Sequence, residues 1–325
     1  MEQGVYAGLV GQSPAFLETV RMIQRIAETD APVLIEGETG TGKEVAARAI
    51  HYGGGRRDQP FVPVNCGAIP ENLVENELFG HKRGAFTDAR ADWVGLLRLA
   101  HGGTLFLDEV DALPPKAQVA LLRFLQDHKI RPLGGTVEQS ADVRIIAASN
   151  QDLKQLTDHG GFRIDLLFRL KVLFLAIPPL RRRHGDIPLL VGHFLTACGA
   201  RYNMAHKRMD HAAMPALEAY GWPGNVRELE NVVHRSFLLT DGDLVTMDDP
   251  SLRPSTSEFD TRAADNYRTA KTEAMSSFNR RFLTGLMSRT RGNVSAAAAR
   301  AGKERRALGK LLKKYGIDPD AFRNA

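Results

Sequence analysis

The run Gly37-Glu38-Thr39-Gly40-Thr41-Gly42-Lys43 follows the apolar stretch PVLIE and precedes an amphipathic segment, and it constrains the fold more than any other feature of the chain. A G-x-x-x-x-G-K turn between a strand and a helix places free backbone N–H groups at the helix N-terminus, where they curl around an anion. Lys43 then reaches the outer phosphates of a nucleotide. The Ser or Thr that usually follows the lysine is replaced by Glu44. A second segment supplies acid: Gly103-Thr104-Leu105-Phe106-Leu107-Asp108-Glu109 is an apolar strand ending in adjacent carboxylates. On a strand these point to opposite sides, so one can help hold Mg²⁺ while its neighbour activates water. With both segments in this order, ATP hydrolysis with Mg²⁺ is the expected chemistry.

Around these motifs the first 178 residues alternate short apolar runs with amphipathic stretches. Strands are expected at 32–36, 61–65, 104–108, 143–149 and 172–176, and helices at 16–29, 43–52 and 115–126. This rhythm predicts an α/β fold with a doubly wound parallel sheet. After PPLRRRHGDIP the strand runs stop, and 189–198, 210–220 and 226–239 read as helices. The expected organisation is an α/β core over 1–178, a small all-helical subdomain over 179–247, a Pro-, Ser- and acid-rich linker over 248–261, and a helical end over 262–325. A chain of 325 residues that is 43% hydrophobic can bury a substantial core, and 25% charged residues is ordinary for a folded protein. No window approaches the ~18 apolar residues of a membrane span. Cys66 and Cys198 make no disulfide framework, so a cytoplasmic protein is expected.

The charge is unevenly placed. From Thr261 onward there are 15 Lys and Arg against 5 Asp and Glu, leaving a balance of −5 for the first 260 residues. Concentrating the whole excess at one end predicts a polyanion-binding module. Within it, 293–302 reads as a short small-residue helix stopped by Gly302. In 303–315, Ala307, Leu308, Leu311 and Leu312 share one side while Lys303, Arg306, Lys310 and Lys313 recur on another. One face can pack while the other follows a phosphate-lined groove.

Taken together these residues resemble the bacterial enhancer-binding proteins, AAA+ transcription activators that work on sigma-54 RNA polymerase, from about Gly8 to Leu239. The part from about Asp265 to Ile317 resembles a Fis-type helix-turn-helix. The family's phosphate loop reads GETGTGKE, as at 37–44, so Glu44 is its own usage. The resemblance implies an AAA+ ATPase with a helical lid, assembling from dimers on enhancer DNA into a hexameric ring. It implies that Asp108 coordinates magnesium and Glu109 polarises water. Asn65 would restrain Glu109, Asn150 would sense the γ-phosphate, and Arg163 and Arg169 would reach across a subunit interface. Arg227 is similar to the lid's sensor, and Val10 and Gly11 are candidates for the adenine pocket.

The segment ELFGHKRGAFTDA (77–89) is similar to the family's ELFGHEKGAFTGA, a pore loop whose Phe and Thr, here Phe86 and Thr87, engage sigma-54. This signature is the most specific in the chain. Three residues depart from the family: Asp88 stands for a glycine, Lys82 for a glutamate, and Arg98, in GLLRLAHGG, for a glutamate. The recognition helix resembles the family's, with Arg305-Arg306 matching and Gly309 where tyrosine is usual; Lys303, Arg305, Arg306 and Lys310 are the expected DNA contacts. The family's usual N-terminal receiver, PAS or GAF domain has no counterpart here, which implies control by a separate regulatory protein, by expression level or by truncation. The alternative reading is a DNA-binding regulator that keeps the ATPase fold and no longer remodels sigma-54. Phe86-Thr87 argues against it, Asp88 and Arg98 for it.

Overall fold

A computed structural model describes residues 8–85, 89, 91–204 and 207–246, and, nearer the C-terminus, 283, 286–287, 290, 293–301 and 305–315. By its internal contacts the chain divides into two units, Met1–Pro254 and Ser255–Ala325.

The first unit begins with α1 (Pro14–Ala27), where the Ser13 side chain caps the helix and Pro14 takes the first turn. Then follow β1 (Val33–Glu36), α2 (Lys43–Tyr52), β2 (Phe61–Asn65), α3 (Glu71–Phe79), α4 (Leu96–Leu99), β3 (Thr104–Asp108) and α5 (Pro115–Asp127). A short hairpin, β4 (Lys129–Ile130) and β5 (Gln139–Ser140), precedes β6 (Arg144–Ser149), α6 (Leu153–Asp158), α7 (Ile164–Leu170) and β7 (Leu173–Ala176). Five of these strands form one parallel sheet in the order β2-β3-β6-β1-β7. Each expected sheet strand is present to within one residue.

Alternation along the strands divides the core. Leu34, Leu105, Leu107, Ile145 and Ala147 pack on one face with α3 and α5. Val33, Ile35, Phe106, Ile146 and Ala148 pack on the other with α1 and α2. Both faces are covered, which is why these strands read as unbroken apolar runs. The register brings the carboxyl ends level: Glu36 pairs with Ser149, and Asn65 with Asp108. The residues that follow β1, β3 and β6 therefore emerge at one edge of the sheet, where α/β proteins bind ligands.

The lid contains α8 (Asp186–Tyr202), α9 (Met214–Ala219) and α10 (Asn225–Leu239) around the fully buried Trp222, whose indole N–H donates to the Leu217 carbonyl at 2.8 Å. The expectation of an all-helical lid needs correction. Two-residue strands β8 (Arg208–Met209) and β9 (Leu244–Val245) pair in parallel. They bury Met209 and Val245, tying the segment after α8 to the segment after α10, and are too short to leave a period-two pattern in the sequence.

In the second unit, α11 (Val294–Arg300) and α12 (Arg305–Lys314) share a core of Leu283, Leu286, Met287, Ala297, Ala298, Leu308 and Leu312. Asn293 caps α11, its side-chain oxygen accepting from the N–H groups of Ser295 and Ala296 at 3.1 Å. Ala307, expected on the packed side of α12, is exposed. The linker 248–261 and most of the expected helical end before α11 lie outside the described residues.

Candidate active site

The phosphate loop 37–43 joins β1 to α2. Gly40 and Gly42 take φ of 79° and 96°, left-handed values that suit glycine, and Gly42 leads directly into α2. Gly40 has a second constraint: a Cβ there would stand 2.2 Å from the Gly224 carbonyl oxygen, so only glycine lets the lid approach. Lys43, the first residue of α2, is buried. Its ammonium donates to the carbonyls of Gly37 (2.8 Å) and Glu38 (3.2 Å) and to Asn150 Oδ1. Thr41 Oγ donates to the Glu38 carbonyl at 2.8 Å, bracing the curl. Glu44 is turned along the helix toward Arg48, 2.7 Å away.

Asn150 ties this loop to the acidic strand end. Its Oδ1 accepts from Lys43 and its Nδ2 donates to Glu109 Oε1 at 3.3 Å. Glu109 sits at φ 54°, an uncommon conformation for a residue other than glycine, and its N–H donates to Asp108 Oδ1 at 3.0 Å. Burial pushes the Lys43 ammonium below its usual range, against the pull of Asp108, Asp111 and Glu109. Burial likewise pushes the Asp108 carboxyl up, opposed by Lys43. A cation bound beside this carboxylate would favour its charged form. Among the described residues no group of three or more His, Cys, Asp or Glu is arranged to hold a metal ion.

Thr39, Gly40, Gly42, Lys43, Glu44, Asn65, Asp108, Glu109, Asn150 and Arg227 line one cleft of about 250 Å³. Arg227, in the first turn of α10, lies over the phosphate loop and donates its backbone N–H to the Gly40 carbonyl at 3.3 Å. The contact expected between Asn65 and Glu109 is not made here: Asn65 Oδ1 accepts instead from Ala68 N–H at 3.1 Å. Val10 lines an apolar pocket beside α2 with Leu9, Phe16, Val45 and Leu190, whereas Gly11 stands behind it against Arg183 and Asp186. Arg163, just before α7, and Arg169, within it, are exposed and do not line this cleft. Arg163 holds Asp165 through two bonds of 2.8 and 3.0 Å.

Three participants escaped the sequence reading. Asp111 accepts from Ser149 Oγ (2.8 Å) and Gln151 Nε2 (3.1 Å), fixing the turn that carries Asn150. The third carboxylate of DEVD was the available signal. Asn225, fully buried at φ 52°, donates to Glu38 Oε2 (3.2 Å) and the Thr39 carbonyl (3.0 Å) and accepts from Leu180 N–H (2.8 Å). Arg181 grips Glu38 bidentately at 2.5 and 2.7 Å, and its hydrogen bonds hold the Glu38 carboxyl down to about 2. Cys66, by contrast, is buried and its thiol is pushed up to about 12, so it is inert.

Beyond α3 the chain leaves as a loop whose stem is closed. His81 and Trp93 exchange backbone hydrogen bonds of 2.9 Å, Lys82 Nζ meets Asp92 at 2.6 Å, and Leu133 bridges to Gly80 and Lys82. Lys82 thus has a cross-stem partner. Arg98 Nη1 donates to the Ser140 carbonyl at 3.1 Å, linking α4 to the β4–β5 hairpin. Phe86, Thr87 and Asp88 lie outside the described residues. On α12, Arg305, Arg306 and Lys310 are exposed, Arg306 and Lys310 on the side away from the buried Leu308 and Leu312, while Lys303 is outside the described residues.

A parallel sheet with its phosphate loop, acidic strand end and overlying lid define a P-loop ATPase of the AAA+ class. The chain matches the family described as Sigma-54 interaction domain over residues 9–176 and the AAA+ ATPase lid domain over 181–267. It is 41% identical over 315 residues to the transcriptional regulatory protein GlrR of Escherichia coli K12, covering 97% of this chain and 69% of that protein. It is 49% identical over 240 residues to the DNA-binding transcriptional regulator NtrC of Azospirillum brasilense, covering 74% and 50%. The crystal structure of NtrX from Brucella abortus in complex with ATP superposes with a TM-score of 0.72 at 37% identity, covering 95% of this chain and 70% of that one. The chain belongs to the sigma-54 activator family of AAA+ ATPases.

Proposed function

We propose that the chain is a sigma-54-dependent transcription activator that binds enhancer DNA and uses ATP hydrolysis in a self-assembled ring to remodel the closed polymerase complex. The observation that carries the chemistry is the linkage of Lys43, Asn150 and Glu109 in one cleft. Lys43 and the loop N–H groups receive the outer phosphates, and Glu109 orients and polarises the attacking water. Asn150, bonded to both, exchanges its Lys43 contact for the γ-phosphate. Asp108 is the residue to hold Mg²⁺, which neutralises charge on the phosphate oxygens when bound. Arg227 adds a cation from the lid, and Val10 borders the base.

Arg163 and Arg169 are exposed and do not line the chain's own cleft, an arrangement suited to serving a neighbour. In such a ring a guanidinium supplied in trans stabilises the charge that develops on the transferred phosphoryl group. In the proposed cycle Asn65 engages Glu109 in another nucleotide state, and Phe86 and Thr87 contact sigma-54. The family match over 9–176 and the ELFGHKRGAFTDA sequence support this reading over the regulator that does not remodel sigma-54. Among the described residues no helix is long and apolar enough to cross a membrane.

Thr87→Ala is expected to keep most ATP turnover and to lose sigma-54 capture in a trapped hydrolysis state, measured by gel retention. Retention equal to wild type would remove Thr87 from the contact.

DNA affinity is assigned to 262–325, with Lys303, Arg305, Arg306 and Lys310 facing the duplex. A fragment covering 261–325 should bind duplex DNA with affinity falling steeply as salt rises, because bound phosphates release counterions. Replacing Arg305 and Arg306 with alanine should weaken binding and flatten the salt slope by about two. Equal DNA affinity for the whole chain and for one ending at Asp260 would contradict the assignment.

A further inference from the structure

We propose that Arg181 and Asn225 are positioning residues for nucleotide binding. They latch the lid onto the phosphate loop through Glu38, and Arg181 also neutralises an anion that the loop itself carries. The inference rests on the ATPase reading of the cleft and adds residues that this reading does not use.

Three consecutive loop residues are held by the lid. Glu38 takes both Nη atoms of Arg181, at the entrance to the lid, and the amide of Asn225, at the start of α10. The Thr39 carbonyl accepts from the same Asn225 amide, and the Gly40 carbonyl from Arg227 N–H. On its oxygen side, Asn225 Oδ1 accepts from Leu180 N–H at 2.8 Å. One buried side chain thus joins the entrance of the lid and the start of α10 to the phosphate loop. A buried amide bonded on both its oxygen and its nitrogen side holds its partners in a single arrangement. Its φ of 52° suits asparagine, which tolerates the left-handed region better than most side chains.

The second role follows from charge. The phosphate loop must close on a polyanion, yet Glu38 places a carboxylate within it. Bidentate pairing with a guanidinium cancels that charge and fixes its direction away from the phosphates. Arg181 and Glu38 remain partly exposed, so solvent moderates the effect without abolishing it.

The test is a double-substitution cycle in the full chain, reading KM and kcat for ATP together with melting in the absence of nucleotide. Arg181→Ala is expected to raise KM roughly tenfold, with kcat and melting changed little. Adding Glu38→Gln to Arg181→Ala should return KM to within about threefold of wild type, because the unpaired anion is gone. Asn225→Gly, which keeps the backbone conformation, should also raise KM, and Glu38→Gln should not rescue it, since the bonds to Thr39 and Leu180 remain lost. A double variant no better than Arg181→Ala would overturn the neutralising role of Arg181, and a wild-type KM in Asn225→Gly would overturn the latch. Lack of ATP turnover in the wild type would instead overturn the ATPase reading on which it rests.

Discussion

Replacing Glu109 with glutamine is expected to reduce ATP turnover by ~10²–10⁴-fold while leaving nucleotide binding near wild type. The amide keeps the shape of the side chain and its proximity to Asn150 but loses the charge that polarises water. Lys43→Ala should fail at the earlier step, because no other ammonium contacts the carbonyls of Gly37 and Glu38 among the described residues. Equilibrium binding of a fluorescent nucleotide alongside steady-state turnover separates the two. Wild-type turnover in Glu109→Gln, with binding confirmed, would remove Glu109 from the role of base. Mixing Glu109→Gln subunits with Arg163→Ala or Arg169→Ala subunits should recover part of the turnover, since some interfaces then pair an intact glutamate with an intact arginine. No recovery despite demonstrated subunit mixing would count against an arginine supplied by the neighbour.

The second large effect is on stability. Asp186, fully buried at the start of α8, accepts from the N–H groups of Gln12 (2.7 Å) and Ser13 (2.8 Å), from Ser13 Oγ and from Arg183 Nε. Arg183 in turn lies 3.8 Å from the centre of the Phe16 ring and donates to the Val10 carbonyl at 2.6 Å. Removing one partner of a buried pair leaves the other charge uncompensated, and such changes cost about 3–5 kcal/mol. Asp186→Asn should therefore lower the melting temperature of the ATPase unit by roughly 10 °C.

The same residue gives the protein a pH dependence. Burial alone would raise the Asp186 carboxyl, but the hydrogen bonds from Gln12, Arg183 and Ser13 outweigh it and leave it below the usual carboxylate range. With the folded value below the unfolded one, about 3.9, its contribution is present above that value and is lost as pH falls through the folded one. Asp186→Asn should flatten the acid limb of the stability curve. An unchanged limb, or melting within a degree or two of wild type, would show that the network carries little of the stability.

What could be read from the sequence follows from what each element must satisfy locally. Strands buried on both faces have to be apolar throughout, so Val33–Glu36 and Thr104–Asp108 announce themselves. The phosphate loop is legible because Gly40, Gly42 and Lys43 answer constraints within seven residues. Asn225 was not, because its partners Glu38 and Thr39 lie 187 and 186 residues away and nothing local requires an asparagine there. Asn150 was singled out for a phosphate, yet its bridge between Lys43 and Glu109 needs the β1–β6–β3 order of the sheet, which spacing alone does not give. The β8–β9 pair was hidden by its length, and the Arg163–Asp165 pair competed with the interface role inferred for Arg163.

The measurement that bears most directly on the account is open-complex formation by sigma-54 RNA polymerase on an enhancer-bearing promoter, with purified protein and ATP. The account predicts open complex with the wild-type protein and hydrolysable ATP. It predicts none with a non-hydrolysable analogue, with Glu109→Gln, or with Thr87→Ala despite that variant's turnover. Normal ATP turnover by the wild type with no open complex would contradict it, and would favour a DNA-binding regulator that has kept the ATPase and lost the remodelling of sigma-54.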